Sequence, residues 1–211
     1  NFTVEAPPNV TLQSPQNNNL SNINNLTFIY LPFDPIGIFN CSLFIDNFIN
    51  SSSASITNNV NNTFTVNGIS EGVHNWTVGC TDIFPDFNLF TANLRNFTVD
   101  ITPPNVTLNS PLNNTNTLRS VSFNFSAIDN LDADLNLTCN LYINNALNLS
   151  SINLTNGSSI TRAINNHALG LHTWNVSCID DAQNRGWSNK WMYNVTLADL
   201  MVNASSISFN T

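Results

Sequence analysis

Charged side chains are scarce in this 211-residue chain, and basic ones are nearly missing. Only 9% of the residues are charged, with 5 Lys and Arg against 13 Asp and Glu, so the formal net charge is −8. So few basic groups cannot neutralise a phosphate backbone or an anionic lipid surface, which excludes binding to nucleic acid or to such a membrane. The sequence also lacks a run of 18 apolar residues, so no membrane span is expected.

Groups that carry catalysis are equally rare. The chain has two Glu, three His and a single lysine, Lys190, and it contains no nucleophile elbow, phosphate-binding loop or zinc-binding helix motif. Its four cysteines form no CxxC pair, which argues against a thiolate metal site. We therefore expect a protein that is not an enzyme and has no organic cofactor.

Asparagine takes the place of charge, and much of it lies in glycosylation sequons. Nineteen Asn-x-Ser/Thr sequons are present, whereas random placement of the same residues would give about eight. Because sequons are used only on exported chains, the excess predicts a secreted, glycan-coated protein. The alternative is that a β-protein rich in Asn and Thr forms sequons by accident.

Many sequons alternate polar, apolar, polar, as in Asn75-Trp76-Thr77, which is the period of a half-buried strand. The central residue is then expected to face the core, while the Asn and the hydroxyl face water. We predict N-linked glycans on ten such asparagines: Asn9, Asn25, Asn40, Asn75, Asn96, Asn105, Asn124, Asn136, Asn175 and Asn194.

The chain is one unit written twice. The string Pro-Pro-Asn-Val-Thr-Leu starts at Pro7 and again at Pro103, and Cys-x-Leu-aromatic-Ile-x-Asn starts at Cys41 and again at Cys139. The repeat length near 100 residues is that of one immunoglobulin-sized sandwich. We predict an all-β fold of two tandem immunoglobulin-like antiparallel β-sandwiches with extra terminal strands. The predicted parts are a terminal strand at 1–6, domains at 7–100 and 101–199, and an extension at 200–211.

Strand positions follow from the apolar alternation and from the Asn, Gly, Ser and Pro turns. In the first unit the predicted strands lie near residues 9–13, 25–31, 39–46, 62–67, 73–81 and 88–99.

Each repeat has one pair of cysteines. Cys41 and Cys80 are 39 residues apart, and so are Cys139 and Cys178. Alternation directs all four toward the core, so the sequence predicts one disulfide within each repeat.

These motifs together resemble immunoglobulin-like repeats of archaeal surface proteins. The resemblance is carried by the Cys41 string, by Gly-x-His-x-Trp-x-Val-x-Cys at Gly72 and Gly170, and by Phe-Thr-Val-Asp at Phe97 before the second Pro-Pro. It covers about residues 1–199. Such repeats occur in adhesins, surface-layer proteins and extracellular filaments, so the resemblance implies an extracellular or cell-surface location.

Five carboxylates are predicted to converge at one end of the second sandwich, in its B–C and F–G loops. A calcium ion takes six to eight oxygen ligands and would suit such a group. The alternative is ordinary turn capping by Asp. The candidate ligands are Asp129, Asp132, Asp134, Asp180 and Asp181.

The same end of the first sandwich is apolar instead, and it is predicted to be a contact surface rather than a satellite core. The N-terminal string Asn1-Phe2-Thr3-Val4 repeats the last strand of the first domain. It is interpreted either as a strand donated to a neighbouring subunit or as the end of a preceding covalent repeat. The predicted assembly residues are Phe2, Val4, Phe33, Ile36, Phe84, Phe87, Ile207 and Phe209.

Two functions remain open at this stage. The first is a structural subunit or section of a glycosylated extracellular filament or surface layer, whose partner is a further copy bound head-to-tail. The alternative is an adhesin stalk or carbohydrate-binding module that contacts other surface proteins or glycans. Trp187 and Trp191 are the candidate sugar-stacking residues for the alternative.

Overall fold

The computed structural model describes residues 6–83, 88–132 and 134–197. Within these ranges the regular structure is entirely β, so they contain no helix long and apolar enough to cross a membrane. The strands are β1 (Asn9–Ser14), β2 (Asn19–Ser21), β3 (Leu26–Phe33), β4 (Ile38–Ile45), β5 (Phe48–Ser53), β6 (Asn62–Val66), β7 (Gly72–Asp82), β8 (Leu89–Thr91), β9 (Arg95–Val99), β10 (Asn105–Ser110), β11 (Thr115–Thr117), β12 (Val121–Ile128), β13 (Asn136–Ile143), β14 (Ala146–Thr155), β15 (Ser159–Ile164), β16 (Gly170–Ile179), β17 (Arg185–Trp187) and β18 (Trp191–Val195).

Contacts divide the chain into two units. Unit 1 extends to Thr102 and includes Asp181–Asn184, and unit 2 comprises Pro103–Asp180 and the chain from Arg185. Unit 1 has one sheet ordered β1-β3-β6 and another ordered β2-β9-β7-β4-β5, with β8 also paired to β7. Unit 2 repeats this pattern with β10-β12-β15 and β11-β18-β16-β13-β14, with β17 on β16. Each unit is thus a β-sandwich, which confirms the predicted fold class.

Alternation along the strands builds one core between the two sheets of each unit. In unit 1, Phe28 of β3 meets Trp76 of β7 and Phe97 of β9, with ring centroids 5.0 and 5.6 Å away, and all three side chains are fully buried. Phe123 of unit 2 contacts Trp174 and Tyr193 in the same edge-to-face manner. Edge-to-face packing suits the positive edge and negative face of aromatic rings.

Both predicted disulfides are confirmed. Cys41 bonds to Cys80 and Cys139 bonds to Cys178. Each pair sits directly opposite on neighbouring antiparallel strands, so the bridge lies within one sheet. In antibody domains the corresponding bridge joins the two sheets instead.

The strand prediction missed two elements and merged two others. Strand β2 has only three residues, and β5 consists mostly of Asn and Ser, so neither shows a hydrophobic alternation that would reveal it. The predicted strand at 88–99 is two strands, β8 and β9, separated at 92–94. One pair in each unit, β2 with β9 and β11 with β18, is parallel, so the sheets are not purely antiparallel as predicted.

The hairpin from β4 to β5 depends on a two-residue turn that the sequence did contain. Asp46 and Asn47 have φ values of 52° and 67°, and Asn144 and Asn145 repeat this in unit 2 with 53° and 65°. Two consecutive positive φ values define the type I′ turn, which Asn and Asp tolerate better than most residues. The Asp-Asn and Asn-Asn pairs were therefore usable signals for the missed strand.

Candidate functional site

The ten predicted glycosylation asparagines all reach the surface. Five are exposed and five are half-buried, and none lies in either core. The exposed residues are Asn9, Asn25, Asn96, Asn105 and Asn136, and the half-buried ones are Asn40, Asn75, Asn124, Asn175 and Asn194. This placement leaves room for glycans at these positions, and their attachment stays a prediction.

Two sequon hydroxyls do not face water as the alternation predicted. Thr77 is buried and its hydroxyl donates to the Ala92 carbonyl at 2.6 Å, while the buried Ser177 hydroxyl accepts from Arg185 at 3.0 Å. The reason is that the chain after β7 and β16 folds back over these strands as β8 and β17. Sugar transfer to Asn75 or Asn175 would therefore have to precede folding.

One further sequon asparagine has a structural role that the sequence analysis missed. The Asn156 side chain donates to the Asp129 carbonyl and accepts from the Asp129 amide, both at 2.8 Å. Asn58 makes the same pair of bonds with Asp34 in unit 1. Asn58 and Asn156 occupy equivalent positions in the two repeats, and this shared asparagine was a sequence signal for a common structural role.

Four of the predicted calcium ligands lie in two pairs in unit 2. Asp129 and Asp180 are buried and bring carboxylate oxygens within 4.8 Å of each other. The carboxylates of Asp132, which is buried, and of Asp134, which is exposed, are equally close. Asp181 begins the segment Asp181–Asn184, which groups with unit 1. Asp129 also caps a turn, since one of its oxygens accepts from the Leu131 amide at 2.9 Å. Carboxylate pairs of this kind would accept a hard cation, and calcium binding stays a prediction.

The apolar end of unit 1 is partly exposed. Phe33 and Ile36 are 48% and 43% exposed, and Ile83 is 51% exposed. Phe90, on β8, is partly buried and packs against the core instead. The remaining predicted assembly residues, Phe2, Val4, Phe84, Phe87, Ile207 and Phe209, lie outside the described residues.

The two candidate sugar-stacking tryptophans differ in exposure. Trp187 is 51% exposed and its ring lies 5.1 Å from that of Tyr142. Trp191 is half-buried and packs edge-to-face on Trp174 in the core, 6.2 Å between centroids. Trp187 is therefore the one that remains open to a ligand.

A histidine in equivalent positions has a different partner in each unit. In unit 1, His74 Nδ1 lies 2.7 Å from the Asp46 carboxylate and Nε2 lies 2.9 Å from the Ser70 carbonyl. In unit 2, Asn144 replaces the carboxylate and contacts His172 Nδ1 at 3.0 Å. Burial alone would raise the pKa of Asp46, but the hydrogen bonds from His74 and from the Asn75 amide, with the His74 charge, hold that pKa below its ordinary value of 3.8.

We expect the Asp46→Asn variant to be less sensitive to acid than the native protein. A carboxylate whose folded pKa is lowered contributes stability above the unfolded pKa of 3.8, and this contribution is lost as the pH falls below that value. Thermal unfolding of both proteins between pH 5 and pH 2.5 measures the effect. Asn144→Asp in unit 2 is the reciprocal control and should add acid sensitivity there. Identical pH profiles for native protein and Asp46→Asn would contradict the assignment.

Unit 2 contains a second, buried histidine. His167 is packed among the rings of Phe123, His172 and Tyr193. Burial, followed by the nearby His172, lowers the pKa of His167 below its ordinary value of 6.5. Ile69, a core residue, occupies the equivalent position in unit 1.

We expect unit 2 to lose stability as the pH falls below about 6.5. The unfolded chain then binds a proton that the folded His167 resists, which gives a slope of at most about 1.4 kcal/mol per pH unit. His167→Ile should flatten this slope, and Ile69→His should introduce it in unit 1. Urea unfolding at a series of pH values from 7.5 to 4.5 provides the measurement. The interpretation fails if His167→Ile keeps the native slope.

An open apolar groove crosses the outer face of unit 1. It consists of two adjoining cavities of about 560 and 320 Å³ that share Phe44 and Leu89. The larger one extends to Asn93 and Leu94, and the smaller one reaches Phe39 and Asn40. The sequence analysis missed this groove because Leu89 and Leu94 were assigned to one continuous strand.

Comparisons with known proteins assign the chain to no family and add no function. No family model matches the chain, and no curated protein does. Among solved structures, the fibronectin(III)-like modules of CbhA from Clostridium thermocellum are 14% identical, with a TM-score of 0.47 over 90% of this chain and 96% of that one. The D00–D0 domain of intimin is 13% identical, with a TM-score of 0.43 over 87% and 98% of the two chains. The fold assignment therefore rests on the sheet topology and the disulfides of the protein itself.

Proposed function

We propose that the chain is a non-enzymatic structural subunit, or section, of a glycosylated extracellular filament or surface layer. The observation that carries this proposal is the surface position of all ten predicted glycosylation asparagines on strands or their ends in both sandwiches. Two buried disulfides support an oxidising, extracellular compartment.

Glycans would serve here the role that charge serves in most β-proteins. Exposed sheet edges invite pairing with other chains, and proteins usually block them with charged side chains. In this chain the edge strands β5 and β14 carry mainly Ser, Asn and apolar side chains. Asn50 and Asn148 begin sequons on these two strands, so attached sugars would limit lateral pairing.

Head-to-tail association is the second part of the proposal. Strand β9 lies between β2 and β7 in its sheet, and its side chains Phe97 and Val99 are completely buried. Phe2 and Val4 belong to the same string, Asn-Phe-Thr-Val, so a strand formed by that string would present the same two apolar side chains for burial. A sheet formed with a neighbouring copy, or a preceding repeat of the same polypeptide, would supply it.

Electron microscopy of the glycosylated protein tests the proposal. Filaments or sheets are expected from the native chain, and Phe2→Ser/Val4→Ser should leave folded, dispersed particles. Thr3→Ser, a change from one polar residue to another between Phe2 and Val4, is the matched control and should assemble normally. An intact mass equal to that of the bare polypeptide, in material from the natural source, would refute glycosylation. Assembly that persists in Phe2→Ser/Val4→Ser would refute head-to-tail association through this segment.

The second candidate function is an adhesin stalk or carbohydrate-binding module. The exposed ring of Trp187 beside Tyr142 favours it, because adjacent aromatic faces can stack on a sugar. This candidate would be supported if the protein binds to a glycan array without assembling into filaments or sheets. The binding should then be lost in Trp187→Ala.

A further inference from the structure

The outer face of unit 1 lacks the side chains that cover the same face of unit 2. Gly79 precedes Cys80 and pairs with Thr91, whereas Ser177 precedes Cys178 and pairs with Trp187. In unit 2 the Trp187 ring lies against Tyr142, and Arg185 binds the Ser177 hydroxyl. In unit 1 the corresponding residues are Thr91, Phe44 and Leu89, which leave the groove open.

The floor of the groove is backbone. A Cβ added at Gly79 would lie 3.1 Å from the Thr91 hydroxyl and 3.3 Å from the Phe44 ring, so the glycine keeps the groove deep. Leu89 is 60% exposed at the junction of the two cavities and Leu94 is 55% exposed at the far end. Apolar groups that line a cavity of this size are normally covered by a ligand or partner.

The lining indicates the chemistry of the occupant. Each described residue that lines the two cavities is uncharged, and the apolar Phe and Leu side chains alternate with amides and hydroxyls from Asn, Ser and Thr. A neutral sugar has both apolar C–H faces and hydroxyls, and it matches this mixture better than an ion or a charged peptide does.

One lining residue is itself a predicted sugar attachment site. Asn40 begins the sequon Asn40-Cys41-Ser42 and lines the smaller cavity. Asn40 is opposite Thr81, which is opposite Leu89, so its side chain lies in the same row as the centre of the groove. The equivalent residue of unit 2, Thr138, begins no sequon, and there Trp187 and Arg185 already cover the face.

We propose that an N-linked glycan on Asn40 lies in this groove and covers it, as Trp187 and Arg185 cover unit 2. The proposal rests on the glycosylation proposed above and adds a specific contact between the sugar and the protein. The first sugar would occupy the smaller cavity beside Leu89, and the next would continue past Phe44 into the larger one.

Attachment uses a lipid-linked oligosaccharide phosphate as the donor. The Asn40 Nδ2–C1 bond forms as the bond between the sugar C1 and the phosphate oxygen breaks. The electron pair of the broken bond leaves with the polyprenyl phosphate, and the amide nitrogen loses one proton to water. No oxidation or reduction takes place.

The test combines peptide mapping with fluorescence of the apolar dye bis-ANS, on protein from the natural source or from a glycosylating host. Mapping should find Asn40 occupied. Asn40→Gln should raise dye binding at least threefold, and the added change Leu89→Ser should reverse the increase. Asn9→Gln, which removes a sequon on β1, is the matched control and should leave dye binding unchanged. Ser42→Ala removes the same sequon without changing Asn40 and serves if Asn40→Gln fails to fold.

Four results would overturn the proposal. An unmodified Asn40 among other occupied sequons refutes it and leaves the proposed function intact, whereas a chain with no occupied sequon refutes both. An occupied Asn40 whose removal leaves dye binding unchanged shows that the glycan points away. A bare Asn40 with a free neutral oligosaccharide bound in the groove would identify an external sugar as the occupant.

Discussion

Replacement of Gly186 by alanine is expected to destabilise unit 2 severely. A Cβ at this position would overlap the Pro104 carbonyl oxygen and would lie 2.8 Å from its carbonyl carbon. Both atoms belong to the main chain, so β10 and β17 would have to move apart. We expect a loss of about 3 kcal/mol or more, and hence a decrease of at least about 12 °C in the Tm of unit 2.

A second glycine provides the control for this prediction. At Gly79 an added Cβ meets only the side chains of Thr91, Phe44 and Leu89, at 3.1 to 3.4 Å. These side chains can rotate away, so Gly79→Ala should cost much less than Gly186→Ala. Differential scanning calorimetry of the two variants gives the comparison. Equal stabilities would show that the Gly186 backbone contact does not constrain the fold.

Removal of either disulfide is expected to cost a similar amount of stability. The bridge in each unit joins cysteines 39 residues apart, and the loss of loop closure costs about 4 kcal/mol in the chain-entropy model. We expect Cys139→Ala/Cys178→Ala to lower the guanidinium midpoint of unit 2, and Cys41→Ala/Cys80→Ala to lower that of unit 1.

Each double variant serves as the control for the other. Because the four cysteines are fully buried, brief exposure to a mild reductant without denaturant should leave the native protein bridged. Midpoints that do not change in either double variant would contradict the predicted contribution of the bridges.

The fold class followed from local patterns that leave few alternatives. The period-2 alternation of Cys41, Leu43 and Ile45 places one face of β4 inward, and that of Trp76, Val78 and Cys80 does so for β7. These two inward faces lie side by side in one sheet, with Cys41 opposite Cys80, and they are buried by the second sheet of the sandwich. Strand β2 could not be predicted in this way, because its position depends on backbone pairing with β9. Strand β5 lacks the alternation as well, and only the Asp46-Asn47 turn before it indicated a hairpin with β4.

The candidate sites, like the fold, depend partly on sequence alone and partly on tertiary structure. The sequon positions, the charge balance and the disulfide pairs were determined by the sequence alone, since each depends on residue type and spacing. Tertiary structure decided that the Thr77 and Ser177 hydroxyls are buried and that the calcium candidates of unit 2 form pairs. It also decided that an uncharged groove opens beside Asn40 in unit 1, because the groove forms where β8 folds back against β7 and contributes Leu89 and Thr91. Contacts between strands that are distant in sequence depend on how the chain folds back. The residue pattern along a single strand does not predict those contacts.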